Sequence, residues 1–165
     1  LRLAIRHNPP RMKRFVFALA LLLATTLPAA VQSPSQFLGF EVGADRKLAD
    51  YRQIVSYFRA LAVASPRVRV ETLGKTTLGE DFIMAVVTSE GNMRNLEKIR
   101  ETSRKLADPR GLNDDQIAQL TRDGKAIVLV TCNIHSSEIA SSQMAMEWAH
   151  ALATANDAET KRPLH

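Results

Sequence analysis

The sequence has a single cysteine, Cys132, among its 165 residues. No internal disulfide is possible, so the fold must rest on a hydrophobic core. Aromatic residues are scarce, with one Trp, two Tyr and six Phe, and they form no stripe with basic residues of the kind that stacks nucleobases. Residues 1–30 contain no acidic side chain but five basic ones: Arg2, Arg6, Arg11, Lys13 and Arg14. With those five set aside, the 22 basic residues fall to 17, equal to the 17 acidic ones. The net charge of +5 therefore belongs to the first thirty residues. The rest of the chain carries no basic footprint for nucleic acid. Internal repeats and low-complexity segments are also missing. No apolar run reaches the ~20 residues that a comfortable membrane-spanning helix needs.

What is present begins with a leader. Met12-Lys13-Arg14 precedes an apolar run from Phe15 to Leu27, and Pro28-Ala29-Ala30 follows. A positive start, an apolar centre of about a dozen residues and a small-residue exit make a secretory signal peptide. Met12 is the expected start, and Pro28 leaves the cleavage point loosely defined. An uncleaved anchor is the alternative, which the short run disfavours. The mature protein is thus expected outside the cytoplasm, periplasmic or extracellular, without stable membrane association. Residues 31–44, with Pro34 and two serines, read as a linker in which Phe37, Leu38 and Phe40 can still pack. Residues 45–165 are long enough for one domain with a real core.

Within that domain, Asp50 is a good N-cap, and Tyr51, Ile54, Val55, Phe58, Leu61 and Ala62 recur at helical spacing until Ser65-Pro66. Val68–Leu73 alternates as a half-buried strand does. Phe82–Thr88 is apolar on both faces and predicts a more buried one. The glycines of Gly74-Lys75-Thr76-Thr77-Leu78-Gly79 join the two as a hairpin. Gly74-Lys75-Thr76 has neither the upstream glycine nor the following helix of a phosphate loop. Asn92–Leu106 predicts a helix with Leu96, Ile99, Ser103 and Leu106 on one face, broken by Asp108-Pro109-Arg110-Gly111. A second, shorter helix starts in a capping box at Asn113–Gln116 and stops at Gly124.

Lys125–Cys132 is an apolar run rich in β-branched residues. It predicts a buried strand that ends abruptly in Asn133-Ile134-His135-Ser136-Ser137-Glu138, with a helix from Ile139 to about Thr154. On that helix Met144, Trp148 and Leu152 form one stripe, with Trp148 as the expected core anchor, and the tail 156–165 is polar with no capped element. Open α/β sheets present their chemistry where a strand passes into a helix. His135 and Glu138 are ligand-type side chains three apart at such a turn. The intervening serines are small enough to let both converge on one ion. A helix start also favours the Glu138 anion. Zinc in hydrolases takes histidine and carboxylate ligands and leaves a position open for water. Cys132 could instead pair with His135 as a nucleophile, but no orienting partner is visible.

These residues carry a resemblance. The helix, the Gly74…Gly79 hairpin, a strand ending in His-x-x-Glu and a following helix resemble, in that order over residues ~46–154, the N-terminal half of the zinc metallocarboxypeptidase family. Asn133–Gln143 and Asp108-Pro109-Arg110-Gly111-Leu112 are similar to its large exported bacterial branch. The resemblance implies an α/β fold, the N-terminal half of a three-layer α/β/α domain with a mixed sheet. It implies Zn2+ as cofactor, His135 and Glu138 as the first two metal ligands, and a peptide or protein as substrate. Ser136-Ser137 stands where pancreatic-type members have Ala-Arg, so no role of that Arg carries over. In the family the second zinc histidine and the general-base glutamate come later, so no catalytic residue is expected in this chain. His150, far along the helix, and His165, in the tail, are not expected to replace the missing histidine. On this basis the chain is expected to be a truncated, inactive part of a peptidase. The alternatives are a zinc-dependent deacylase or amidohydrolase of the same fold and a degenerate, non-catalytic module.

Overall fold

The computed structural model describes residues 31–164; the expected leader, residues 1–30, and His165 lie outside them. The first element, α1 (Pro34–Leu38), forms in the segment read as a linker. Its signals are local. The Ser33 hydroxyl accepts the Gln36 N–H, the Gln36 side chain accepts the Ser33 N–H, and Pro34 occupies the first turn. Phe37 then meets Tyr57 edge-on, with ring centroids 5.4 Å apart. The segment is therefore packed against the domain.

Helix α2 (Tyr51–Ala64) starts where Asp50 predicts, in a capping box with Gln53, and Ser65 caps its end. Its centre is Tyr57, a residue outside the expected apolar stripe yet only 1% exposed. The Tyr57 hydroxyl donates to the Gln32 carbonyl at 3.2 Å. Burial pushes this phenol's pKa well up, and the charge of Glu147 adds to the shift. Tyr51, expected on the apolar stripe, instead lies exposed and donates its hydroxyl to the Asp81 carbonyl.

Strands β1 (Val68–Lys75) and β2 (Asp81–Val87) pair antiparallel, with Val68 opposite Val87 and Val70 opposite Ala85. The register shifts between Thr72 and Gly74, so Leu73 bulges. The turn closes through Thr76 and Glu80, and Gly79 supplies a left-handed φ of 79°. Val68, Val70, Ile83, Ala85 and Val87 face the helices, while Phe82 is exposed. Met84 and Val86, on the other face of β2, are half-buried, so β2 is the more buried of the two strands, as its composition suggests. The hairpin tip is tied to α2 by ion pairs: Asp81 takes Arg59 and Lys75, and Glu80 takes Arg52.

The single helix expected over 92–106 divides into α3 (Glu90–Arg94) and α4 (Leu96–Ala107) at Asn95, whose side-chain amide donates to the Gly91 carbonyl at 2.8 Å. Helix α5 (Asp114–Asp123) has the expected Asn113–Gln116 capping box. Gly124 ends it without a left-handed turn; a Cβ there would meet Leu120 O at 3.0 Å and Leu106 Cδ1 at 3.3 Å.

The largest departure from expectation is Lys125–Cys132. Among the described residues the sheet holds β1 and β2 alone, and this run joins no ladder. Ile127, Val128 and Leu129 are exposed, Val128 by 80%. A buried strand needs a hydrogen-bonding neighbour and cover for both faces. Among the described residues nothing supplies either. The helix after it, α6 (Ala140–Thr154), forms as expected but is turned about its axis. Gln143, Met146, Ala149, Leu152 and Ala153 are its buried residues, with Met146 at 0% exposure, whereas Trp148 is 44% exposed. The expected core role of Trp148 is thus taken by Met146. The small residues Ala145, Ala149 and Ala153 belong to the packed face, where a Trp would not fit between close helices.

Both ends of α6 are held. The buried Gln143 Oε1 accepts the Ala49 N–H at 2.9 Å, and Arg67 Nη1 donates to the Ala155 carbonyl at 2.7 Å. The tail is ordered too. Asp157 caps α7 (Ala158–Lys161), and a 3₁₀ turn (Arg162–Leu164) buries Leu164, whose carbonyl accepts from Ser89 N, Thr88 Oγ1 and Asn92 Nδ2. Helices around one antiparallel hairpin are compatible with the α/β class.

Candidate metal centre

The turn between the exposed run and α6 brings His135 and Glu138 together. His135 Nδ1 lies 2.8 Å from Glu138 Oε1, and the His135 N–H donates to Glu138 Oε2 at 3.1 Å. The Glu138 N–H in turn donates to the His135 carbonyl at 3.1 Å. The three-residue spacing thus closes as a compact turn, as the sequence suggests. Both side chains remain largely open to solvent. The imidazole contact, and then the His135 backbone N–H, hold the Glu138 carboxyl below the usual carboxylate range.

Helix α6 begins at Ala140, two residues beyond Glu138, with Ile139 at the N-cap position and no side-chain cap. The carboxylate turns back to His135 and makes no capping bond to the helix. The expected help from the helix dipole is weaker than a capping position would give.

The chemistry of the pair fits a zinc ion: one imidazole nitrogen and one carboxylate, both borderline-hard donors used by zinc hydrolases. Two donors of a tetrahedral zinc lie about 3.4 Å apart, from bond lengths of ~2.1 Å. The present contact is shorter, so the side chains must part by about half an ångström to admit an ion. Zinc also requires a third protein donor. Among the described residues no group of three or more His, Cys, Asp or Glu is placed to hold a metal. His150 does not join the pair, and His165 lies outside the described residues. The contact that His135 Nδ1 makes is with Glu138.

The sequence alone did not single out a role for three residues around the turn. Asn133 has a left-handed φ of 57°. Its N–H donates to Ser141 Oγ at 3.0 Å, and its side-chain oxygen accepts from the Ser142 hydroxyl at 2.7 Å and from the Ser141 hydroxyl. The available signal was the residue type, since Asn is among the few side-chain-bearing residues that readily adopt left-handed backbone. A cavity of about 230 Å³ beside the hairpin tip is lined by Tyr51, Arg52, Arg59, Lys75, Glu80 and Asp81 and includes neither member of the pair. Among the described residues, no helix is long and apolar enough to cross a membrane.

Compared with known families, residues 54–165 match the family described as zinc carboxypeptidase. No curated protein and no solved structure matches the chain.

Proposed function

The chain belongs to the zinc carboxypeptidase family, and from that membership we propose that His135 and Glu138 are two of the three protein ligands of a catalytic zinc. The family places the chain among hydrolases of the zinc carboxypeptidase type. The finer assignment is hydrolysis of peptide bonds in a peptide or protein substrate. The observation that carries it is the contact between His135 Nδ1 and Glu138 Oε1, which brings two zinc-type donors together inside the matched segment.

Bound zinc supplies Lewis-acid polarisation of a carbonyl and a water acidic enough to act as nucleophile near neutral pH. The chain's own residues prepare the position. His135 Nδ1, the nitrogen that faces Glu138, must give up the proton it shares with the carboxylate before it can act as a ligand. Glu138, already held ionised by His135, brings the negative charge that offsets the cation. The third donor and the general base are assigned to sequence other than the described residues. The three-layer α/β/α architecture and export by the Met12–Ala30 segment belong to the same proposal.

Calorimetric titration of the protein with zinc chloride tests the ligand assignment. Weak binding is expected, because two donors hold zinc poorly, and His135→Ala should abolish it. Binding that persists unchanged in His135→Ala would falsify the assignment.

A further inference from the structure

We propose that Asn133, Ser141 and Ser142 form a clasp that positions His135 and Glu138, with Asn133 as its central positioning residue; the metal-binding part of this rests on the zinc assignment above. The left-handed conformation of Asn133 turns the chain out of the exposed run and into the site. Its N–H donates to Ser141 Oγ, and its side-chain oxygen accepts from Ser141 and Ser142. The Ser141 hydroxyl also lies 2.9 Å from the Glu138 carbonyl, so its one proton serves either acceptor. The Ser141 N–H donates to that same carbonyl at 3.2 Å. The loop from Asn133 to Ser141 is closed at its two ends, with His135 and Glu138 inside it.

The alternative use of these groups would be ordinary helix capping, and the helix does without it. Ile139 at the N-cap position offers no side-chain acceptor. The two hydroxyls of the first turn point to Asn133. Free N–H groups at a helix start are ordinarily met by such side chains. The hydroxyls here serve the turn. Gln143, one residue further on, is buried and bonded to Ala49, so the first turn of α6 is fixed to the core. The clasp hands that fixed position to the His135–Glu138 pair, which has little packing of its own.

Three variants of the 165-residue protein test this. Asn133→Gly keeps the left-handed backbone accessible and removes the side-chain acceptor. Ser141→Val with Ser142→Val removes both hydroxyls, and Ser141→Thr with Ser142→Thr restores them at equal branching. Two readouts are used: the imidazole ¹⁵N shifts of His135 in metal-free protein, and zinc affinity by calorimetry with zinc chloride alone. In Asn133→Gly and in the valine pair, the ring shifts are expected to move to those of an uncontacted imidazole. Zinc binding should weaken about tenfold, the lower end of the loss seen when groups that orient metal ligands are removed. The threonine pair should behave as the original, and the thermal midpoint should hold in all three. Unchanged ring shifts in both disrupting variants would overturn the clasp, as would equal losses in the valine and threonine pairs. If the original protein binds no zinc, the zinc assignment fails by itself, and the ring shifts still decide the clasp.

Discussion

At the scale of single residues, Tyr57 shows how far a side chain's place depends on its surroundings. It contacts Phe37 and Phe58 edge-on, with ring centroids 5.4 and 6.0 Å away, and is nearly inaccessible. Truncation to Ala should cost about 3–5 kcal/mol, the range for large aromatic core residues, read from urea unfolding. A loss below about 1 kcal/mol would show that the α1–α2 contact is not part of the core. Asp81 makes the opposite kind of prediction. Its hydrogen bonds to Lys75, then Arg59, lower its pKa. A carboxylate depressed on folding contributes stability above its unfolded pKa of ~3.9 and loses it as pH falls through the lower folded value. The urea midpoint of the original protein should therefore exceed that of Asp81→Asn at pH 6. The gap should close on acidification below pH ~4. A gap that stays constant down to pH 2 would mean the ion pairs contribute nothing. Neither residue's role could be read from spacing. Tyr57 falls beside the apolar stripe of α2, and the partners of Asp81 come from a strand and a helix that only the fold brings near.

Elements divide by where their signals lie. The capping boxes at Asp50–Gln53 and Asn113–Gln116 lie within four residues, and the helices they begin are readable in the sequence. So is the hairpin, whose turn glycines and alternating strands are local as well. The box at Ser33–Gln36 was equally local, but the lack of periodicity after it masked the short α1. What could not be read depends on partners distant in sequence. The rotation of α6 is set by packing on α2 and by the Gln143–Ala49 bond, 94 residues apart in sequence. The tail's order comes from Leu164 meeting Thr88, Ser89 and Asn92. The candidate pair itself was readable, since His135 and Glu138 are joined by a three-residue turn; the clasp around it was not. Gln143→Ala would leave the buried Ala49 N–H without an acceptor, at a cost of about 1–3 kcal/mol. Gln143→Glu, which keeps an acceptor, should recover part of that loss when its carboxyl is protonated. Urea unfolding of both variants at pH 4 and pH 7 would check this, and equal destabilisation at the two pH values would sink it.

For the whole molecule, the exposed run governs behaviour in solution. Ile127, Val128, Leu129 and Val130 present apolar side chains on a segment with no sheet partner among the described residues. An unpaired, β-prone, uncharged segment invites pairing with another chain. The balanced charge of residues 31–165 offers little repulsion against it. Val128→Lys should lower light scattering at a given concentration while changing unfolding free energy by less than about 0.5 kcal/mol, as for an exposed position. Scattering that does not change would place association elsewhere. The pinning of α6 at both ends, at Gln143 and at Ala155, has a further consequence on the time axis. The amides of residues 143–153 can exchange with deuterium only when the core opens, whereas those of 126–132 have no ladder to break. The boundary between slow and immediate exchange should fall inside the turn that carries His135 and Glu138. One side of the candidate metal centre would then keep time with global unfolding, and the other with the free chain.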